Sequence, residues 1–181
     1  MGGKQIASTL DNISASPIVP FRIMKSPRRY YTKKEVITHA KRIIAISQNT
    51  KEDIIQLLHI SPEKIDVIYH STSMKPFTGK QRLTLPDSFL LFVGDRTPYK
   101  NFNRLAKAFS ELSTKDENLF LVCTGMPFKQ SEKELLDKLN ISNKVIHIKA
   151  TDRTLAELYS RAKLFVFPSL YEGFGIPILE A

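Results

Sequence analysis

After residue 86, short apolar runs alternate with amphipathic segments, and this alternation constrains the fold more than any other feature of the chain. The apolar runs are Phe89–Val93, Leu119–Thr124, Val145–Ile148 and Leu164–Phe167. Strands as continuously apolar as these are buried on both faces, as in parallel sheets covered by helices. The pattern therefore predicts an α/β fold with a Rossmann-like, doubly wound parallel sheet.

Capping residues mark the predicted helix starts between these strands. In chain order they are Asn101, Ser131 with Glu134, and Thr154 with Glu157. The helix after Asn101 is expected to end near Leu112. Pro177 is acceptable in a first helical turn, so a last helix is expected to begin near Ile176.

Residues 30–71 carry a shorter version of the same pattern. Thr32 and Glu35 have the spacing of a capping box, which predicts a helix to about residue 41. The β-branched runs 42–47 and 65–70 predict two strands, with a helix between them that opens at Asn49 and Thr50.

The intervening segments predict how the chain is divided. Residues 1–29 contain three prolines and no sustained apolar period, so we expect them to be irregular. Residues 72–86 combine Pro, Gly and polar residues and are interpreted as a linker. The predicted organisation is an irregular segment 1–29, a first domain remnant 30–71, the linker 72–86, and the main α/β domain 87–181.

The sequence gives no sign of a membrane span or of a secreted protein. The apolar runs are far shorter than the roughly 20 residues that a membrane helix needs, and no signal-peptide pattern opens the chain. The single cysteine, Cys123, lies in an apolar strand and is interpreted as a buried structural thiol. These features favour a reducing, cytoplasmic location.

The positive charge is concentrated in the first part of the chain. Residues 1–82 hold 14 Lys and Arg against 6 Asp and Glu, whereas residues 83–181 hold 13 against 12. A solvated face is the first interpretation of the basic stretch 26–34, and peripheral contact with an anionic membrane, at its inner face, is the second. Nucleic acid is not expected as a partner.

Ligands of doubly wound sheets bind outside the carboxyl ends of the strands. The loop after the first of the four predicted strands contains Gly94, Arg96 and Lys100. Two cations and the free amide groups of the following helix can converge there on one anion, and a glycine permits close backbone approach. The sequence therefore predicts a phosphate site rather than a solvated basic loop.

A second glycine turn precedes the last predicted helix. Gly173 and Gly175 free the backbone there and predict another phosphate cradle at the same sheet edge. Glu172 can accept hydrogen bonds from sugar hydroxyls. Glu180, eight positions later, can bind a vicinal diol such as ribose; considered alone, it is interpreted as a surface helix residue.

Taken together, these motifs resemble a known family. Gly94-x-Arg-x-x-x-Lys-Asn101, followed about seventy residues later by Glu172-Gly-Phe-Gly-x-Pro-x-x-Glu180, resembles the nucleotide-sugar domain of the retaining glycosyltransferases called group 1 or family four. Segments 45–54 and 62–70 resemble the end of the family's first domain. The resemblance covers residues 30–181.

The resemblance implies a GT-B architecture, in which two Rossmann-like domains face a cleft. By the same resemblance Arg96 and Lys100 bind the donor diphosphate, Glu180 holds the ribose, and residues 149–153 lie beside the base. The implied catalytic residue is Glu172, which contacts the transferred sugar. The implied donor-binding residues are Gly94, Arg96, Lys100, Gly173, Phe174, Gly175, Ile176 and Glu180.

The predicted function is transfer of a sugar, a hexose by resemblance, from a nucleoside-diphosphate sugar to a hydroxyl of a saccharide or lipid-linked acceptor, with retention. No cofactor or metal is expected, since no Asp-x-Asp occurs and the histidines lack ligand spacing. The chain is interpreted as a fragment that is inactive alone. The alternative is a non-catalytic nucleotide-sugar-binding module or half of a split enzyme; an NAD-dependent oxidoreductase is disfavoured by an incomplete glycine fingerprint.

Overall fold

The computed structural model describes residues 6–8, 23–26, 29–31, 33–79 and 83–181. Contacts divide the chain into two units. Unit 1 comprises Met1–Ser71 together with Glu172–Ile176, and unit 2 comprises Thr72–Tyr171 together with Pro177–Ala181.

Unit 1 contains a small parallel sheet. Strands β1 (Ile6–Ser8), β4 (Arg42–Ala45) and β5 (Ile65–Val67) form it, with β4 in the middle. Two further strands, β2 (Ile23–Ser26) and β3 (Arg29–Tyr31), form an antiparallel pair. The helices are α1 (Lys33–His39) and α2 (Gln48–Leu58), and a 3₁₀ turn at Pro62–Lys64 precedes β5.

The described residues among the first 29 differ from the sequence-based expectation, because β1, β2 and the start of β3 lie where irregular chain was predicted. β1 pairs in parallel with β4, from Ile6 opposite Arg42 to Ser8 opposite Ile44. Such a ladder joins residues 36 positions apart, which local periodicity does not reveal. Thr32, the predicted helix cap, lies outside the described residues, as do residues 27 and 28 of the basic stretch.

Helix α2 begins one to two residues earlier than predicted, at Gln48. Its N-cap is Ser47, whose Oγ accepts a hydrogen bond from the Thr50 amide at 3.0 Å. Asn49 and Thr50 therefore lie inside the first turn. The helix packs on the sheet through an aliphatic cluster that holds Ile37, Ala40, Ile43, Ala45, Ile54, Ile60 and Ile65.

Unit 2 is built on a four-stranded sheet. The strands β6 (Ser88–Phe92), β7 (Leu119–Cys123), β8 (Val145–His147) and β9 (Leu164–Phe165) lie in the order β8-β7-β6-β9. All neighbouring pairs are parallel. The helices are α3 (Phe102–Lys115), α4 (Gln130–Lys138), α5 (Asp152–Arg161) and α6 (Ile176–Glu180), with 3₁₀ turns at Pro98–Lys100 and Ser142–Lys144.

Both faces of this sheet are buried, as predicted. Along β6, Leu90 and Phe92 join a cluster with α3 and α4, whereas Phe89 and Leu91 join a second cluster with Leu158 of α5. Successive side chains of a strand point to opposite faces, so helices cover both. The predicted α/β fold with a doubly wound parallel sheet is confirmed.

The helix starts in unit 2 are less well predicted than the strands. Asn101 occupies the N-cap position of α3, as predicted, with a left-handed φ of 58°, but its side chain makes no capping hydrogen bond; its Nδ2 donates instead to the Pro168 carbonyl at 3.1 Å. Helix α4 begins at Gln130, ahead of the predicted cap Ser131. Helix α5 is capped by Thr151, which accepts from the Thr154 amide at 3.2 Å. Several polar residues stand near each start, and at α3 and α4 the side chains of Asn101 and Glu132 also bond to residues distant in sequence.

The parallel sheet brings the carboxyl ends of β6, β7, β8 and β9 to one edge. The loops that follow β6 and β7 therefore run side by side there.

Among the described residues, no helix combines the length and the apolar character that crossing a bilayer requires.

Candidate functional site

Two glycine turns touch at the carboxyl edge of the unit 2 sheet. Gly94 follows β6 with a φ of 117°, and Gly125 follows β7 with a φ of 96°. A Cβ on Gly125 would lie 2.5 Å from the Gly94 carbonyl oxygen, whereas a Cβ on Gly94 would meet nothing within 4 Å. The backbone is therefore closely packed on one side of Gly94 and open on the other.

Arg96 lies beneath this edge, and its side chain is only 2% exposed. Its Nε donates to the Glu132 carboxylate at 3.1 Å, its Nη1 donates to the Thr124 carbonyl at 3.2 Å, and its Nη2 donates to the Met126 carbonyl. Every nitrogen of the guanidinium thus has an acceptor within the protein. Arg96 joins the loop after β6 to the loop after β7.

Aromatic and backbone contacts complete this junction. The guanidinium carbon of Arg96 lies 4.4 Å from the ring centroid of Phe128, a cation–π distance. The carboxylate of Glu132 also accepts the Lys129 amide at 2.8 Å, at the start of α4. Glu132 therefore caps α4 and neutralises Arg96 with the same oxygen. This explains why Ser131 and Glu134, the predicted capping pair of this helix, are not used.

The third strand end is connected to the same loops. His147, the last residue of β8, places Nε2 2.9 Å from the Gly125 carbonyl oxygen, which accepts the hydrogen bond. Its ring packs edge-on against Phe128 at 5.8 Å. The ends of β6, β7 and β8 are thus fixed relative to one another.

Lys100 lies at the far end of the same loop as Arg96. Its Nζ is 5.4 Å from the Tyr99 ring centroid and 5.6 Å from that of Phe167. The loop is bonded to the segment after β9, because the Leu170 amide donates to the Tyr99 carbonyl at 2.8 Å. Lys100 therefore stands where the loops after β6 and β9 meet, with a cation between two aromatic rings.

Two buried hydroxyls lie in these two loops. The Oγ1 of Thr97 and the Oγ of Ser169 have no hydrogen-bond partner among the described residues. Buried polar groups are usually satisfied, and water or a ligand can complete such exceptions; a third, the Oγ of Ser88, lies at the start of β6.

The second predicted glycine turn, Glu172–Ile176, belongs to unit 1 by its contacts. The carbonyl of Gly173 accepts hydrogen bonds from the Ser47 hydroxyl at 2.5 Å and from the Thr50 hydroxyl at 3.3 Å. The Phe174 ring lies 6.1 Å from the Tyr69 ring. Gly175 has a φ of 89°, a conformation that glycine adopts without strain.

Glu180, at the end of α6, is hydrogen-bonded within unit 2. Its carboxylate accepts the Tyr159 hydroxyl at 3.1 Å. Burial, and then the negative charge of Glu180, hold the pKa of Tyr159 well above its usual range. The phenol therefore keeps its proton, and can donate it to Glu180, at neutral pH.

Cys123 ends β7 and is fully buried, as predicted. Burial raises the pKa of its thiol to about 12. The thiolate that a nucleophile requires is therefore absent at neutral pH.

Among the described side chains, no three His, Cys, Asp or Glu residues come together as a metal site would require.

The predicted site residues fall in both units. Unit 2 holds Gly94, Arg96, Lys100 and Glu180, and unit 1 holds Glu172, Gly173, Phe174, Gly175 and Ile176. Gly94, Arg96 and Lys100 lie in one loop, but Arg96 is enclosed by protein acceptors. Their roles toward a donor remain predictions.

The sequence did not predict the contacts that hold these loops together. Gly125 follows an apolar strand just as Gly94 does, so the same signal was available for it. Glu132 and Phe128 carry no comparable signal, because their partner is a charged loop residue that sequence patterns treat as exposed.

Comparison with known proteins adds a family to this geometry. The family model described as "Glycosyl transferases group 1" matches residues 73–181. Over 149 residues the chain is 30% identical to the O-antigen chain mannosyltransferase RfbU of Salmonella typhimurium, covering 82% of this chain and 41% of that protein. It is 28% identical to the uncharacterized glycosyltransferase YqgM of Bacillus subtilis, covering 99% of this chain and 50% of that one.

Solved structures share the fold. WaaG, a glycosyltransferase involved in lipopolysaccharide biosynthesis, matches with a TM-score of 0.65 at 19% identity, over 77% of this chain and 41% of that one. TarM of S. aureus, in a complex with UDP, matches with a TM-score of 0.63 at 18% identity, over 82% of this chain and 29% of that one. The chain thus spans half or less of the length of each of these proteins.

Proposed function

Because the chain belongs to the group 1 glycosyl transferases, we propose that it carries the donor-binding part of an enzyme that transfers a sugar from a nucleoside-diphosphate sugar to a hydroxyl acceptor. The observation that carries the proposal is the loop from Gly94 to Lys100. This loop joins an open glycine backbone to a lysine at the carboxyl edge of a doubly wound sheet. Such edges bind the phosphates of nucleotides.

Lys100 is the proposed direct ligand of the diphosphate. It lies at the start of α3, where backbone amides and the helix dipole also favour an anion. Arg96 was predicted to share this role. With its guanidinium already bonded to Glu132 and two carbonyls, Arg96 would have to exchange Glu132 for phosphate before it could contact the donor.

The two glutamates of the motif are proposed to bind the two sugars of the donor. Glu172 would contact the transferred sugar through its hydroxyls, from the turn that Gly173 and Gly175 shape. Glu180 would hold the ribose, with Tyr159 orienting the carboxylate that already accepts its hydroxyl. The assignments rest on the motif that these residues match.

The proposed reaction needs no group covalently attached to the enzyme. The acceptor oxygen forms a bond to the anomeric carbon as the bond from that carbon to the diphosphate oxygen breaks. The acceptor proton passes to the leaving diphosphate on the same face, which retains configuration. The cation at Lys100 would stabilise the charge that develops on the diphosphate, so we propose that no metal is required.

The named relatives suggest which sugar to test first. RfbU of Salmonella typhimurium is a mannosyltransferase, and so is WbdA of Escherichia coli, which is 28% identical over 84% of this chain. We therefore propose a hexose donor, with mannose as the first candidate, and a saccharide or lipid-linked acceptor. Donor probes should include nucleoside-diphosphate sugars that carry mannose, glucose, galactose or N-acetylglucosamine.

Calorimetric titration of the chain with these nucleotide sugars, and with their bare nucleoside diphosphates, tests the proposal. Binding of one nucleotide series in the presence of EDTA is expected. A ligand at a hundred times its Kd stabilises the native state by about 2.7 kcal/mol, which a shift in Tm would also reveal. Preference for NAD, or binding that disappears with EDTA, would contradict the proposal.

A further inference from the structure

Ser47 makes two hydrogen bonds that serve different purposes, and its Oγ also lies 3.0 Å from the Oγ1 of Thr50. Its Oγ accepts the Thr50 amide and so caps α2, and its hydroxyl donates to the Gly173 carbonyl at 2.5 Å. The residue is 9% exposed and Thr50 is 4% exposed, so both hydroxyls are shielded from water. A helix cap requires only the acceptor. The bond to Gly173 is additional and joins residues 126 positions apart.

Thr50 repeats the second of these contacts. Its Oγ1 lies 3.3 Å from the same Gly173 carbonyl oxygen. A carbonyl oxygen has two lone pairs, and each hydroxyl has one proton, so both bonds can form at once. Two buried donors from the first turn of α2 therefore converge on one acceptor.

The acceptor lies in the turn that carries Glu172. Gly173 is buried, although it has no side chain, and the neighbouring Phe174 ring packs near Tyr69 and His70 at 6.1 and 5.7 Å. A peptide group is planar, so fixing the Gly173 carbonyl also fixes the plane of the peptide that joins Gly173 to Phe174. The backbone of the turn is thereby held directly next to Glu172.

We propose that Ser47 and Thr50 are positioning residues that hold the Glu172–Ile176 turn, and with it Glu172, in the conformation that receives the transferred sugar. The role in sugar binding rests on the proposed function, whereas the hold on the turn does not. Neither hydroxyl needs to contact the donor. Their effect on affinity is transmitted through the carbonyl of Gly173.

One substitution separates the cap from the hold on the turn. In Ser47→Asp the carboxylate still accepts the Thr50 amide, because Asp is among the best N-caps. It has no proton to donate and repels the Gly173 carbonyl. Ser47→Thr keeps both functions, and Thr50→Val removes one hydroxyl with little change of shape. Ser61→Ala, which removes a hydroxyl bonded to Glu63 elsewhere in unit 1, is the matched control.

Nuclear magnetic resonance with ¹⁵N-glycine tests the hold directly, since the chain contains only seven glycines. In Ser47→Asp, the signals of Gly173 and Gly175 are expected to shift and their order parameters to fall. The signals of Gly94 and Gly125 should stay in place, which shows that unit 2 of the variant is folded. Unchanged Gly173 and Gly175 signals in both Ser47→Asp and Thr50→Val would overturn the proposal.

Titrations on the same samples test the consequence for Glu172. Ser47→Asp is expected to weaken nucleotide-sugar binding roughly two- to tenfold, the range that loss of one buried hydrogen bond gives, and to weaken binding of the bare nucleoside diphosphate by a smaller factor. Ser47→Thr and Ser61→Ala should bind as the unmodified chain does. Equal weakening of both ligands would overturn the link to Glu172. If the unmodified chain binds neither ligand, the proposed function fails, and the glycine signals alone decide whether the two hydroxyls hold the turn.

Discussion

The α-carbon of Gly125 lies so close to the Gly94 carbonyl that a methyl group added to it would stand 2.5 Å from that oxygen. Gly125→Ala is therefore expected to combine backbone strain with a steric clash and to lower the free energy of unfolding by roughly 2–4 kcal/mol. Urea denaturation measures the change. Gly94→Ala is the control, because it has open space and only a strained φ; its cost should be about 1–2 kcal/mol. Equal costs for the two variants would contradict the packing.

Removing Glu132 should leave Arg96 as an uncompensated buried charge. Glu132→Ala is expected to lower the free energy of unfolding by about 3–5 kcal/mol, the usual cost of breaking a buried pair from one side. Glu134→Ala, an exposed glutamate on the same helix that is bonded to Gln130, should cost less than about 0.5 kcal/mol. Thermal and urea denaturation of both variants test this, and a small effect of Glu132→Ala would mean that Arg96 finds another partner.

Lys100→Met should weaken the binding of nucleoside diphosphate and nucleotide sugar alike, because both contain the diphosphate. A charge-assisted hydrogen bond of roughly 1.5–3 kcal/mol corresponds to about ten- to a hundredfold in Kd. The dependence of Kd on salt should also become shallower, since one cation is lost. Calorimetry at several salt concentrations measures both effects. Lys107→Met, which removes an exposed lysine of α3, should change neither the Kd nor its dependence on salt.

The two glutamates of the motif should differ in which ligand they affect. Glu172→Ala is expected to weaken the nucleotide sugar and leave the bare diphosphate unchanged, because the diphosphate lacks the transferred sugar. Glu180→Ala should weaken both, because both contain ribose. Titration of each variant with both ligands tests the pair. Equal effects of Glu172→Ala on the two ligands would remove its assignment to the sugar.

Cys123 should resist thiol reagents while the chain is folded. Its pKa is raised to about 12 by burial, so from pH 7 to pH 10 the native thiol stays protonated. In the unfolded chain the thiol ionises near its ordinary pKa of about 8.5, so this group makes the native state less stable as the pH rises from about 9 toward 12. Alkylation by iodoacetamide at pH 8.5, with and without urea, measures the difference. Rapid alkylation without urea would show that β7 opens readily.

The strands were predictable because their signal is local. Leu90 and Phe92 face one cluster and Phe89 and Leu91 face the other, so burial on both faces produces an uninterrupted apolar run. β9 was predicted as four residues and contains two, because its ladder with β6 extends only over Leu164 and Phe165. Pairing, unlike apolar character, depends on a neighbour.

The loops were predictable in position but not in contact. Gly94 indicated where β6 ends. Nothing in the sequence around Arg96 indicates that its guanidinium is buried and paired with Glu132. Ser47 was predicted only as the end of a strand and as part of a family-like segment, since its partner at Gly173 is 126 residues away. Hydrogen bonds between distant loops depend on the folded topology, which residue spacing does not encode.

The hydrogen bond from Ser47 to Gly173 also sets an order of events during synthesis. At a translation rate of roughly 5–20 residues per second, Gly173 is made about 6 to 25 s after Ser47. Helix α2 and the strands beside it can form in that interval, but the two hydroxyls at its first turn must wait for their acceptor. The glycine turn is consequently the last part of unit 1 to arrive, and a nascent chain halted before residue 172 holds a first unit whose final contacts are still missing.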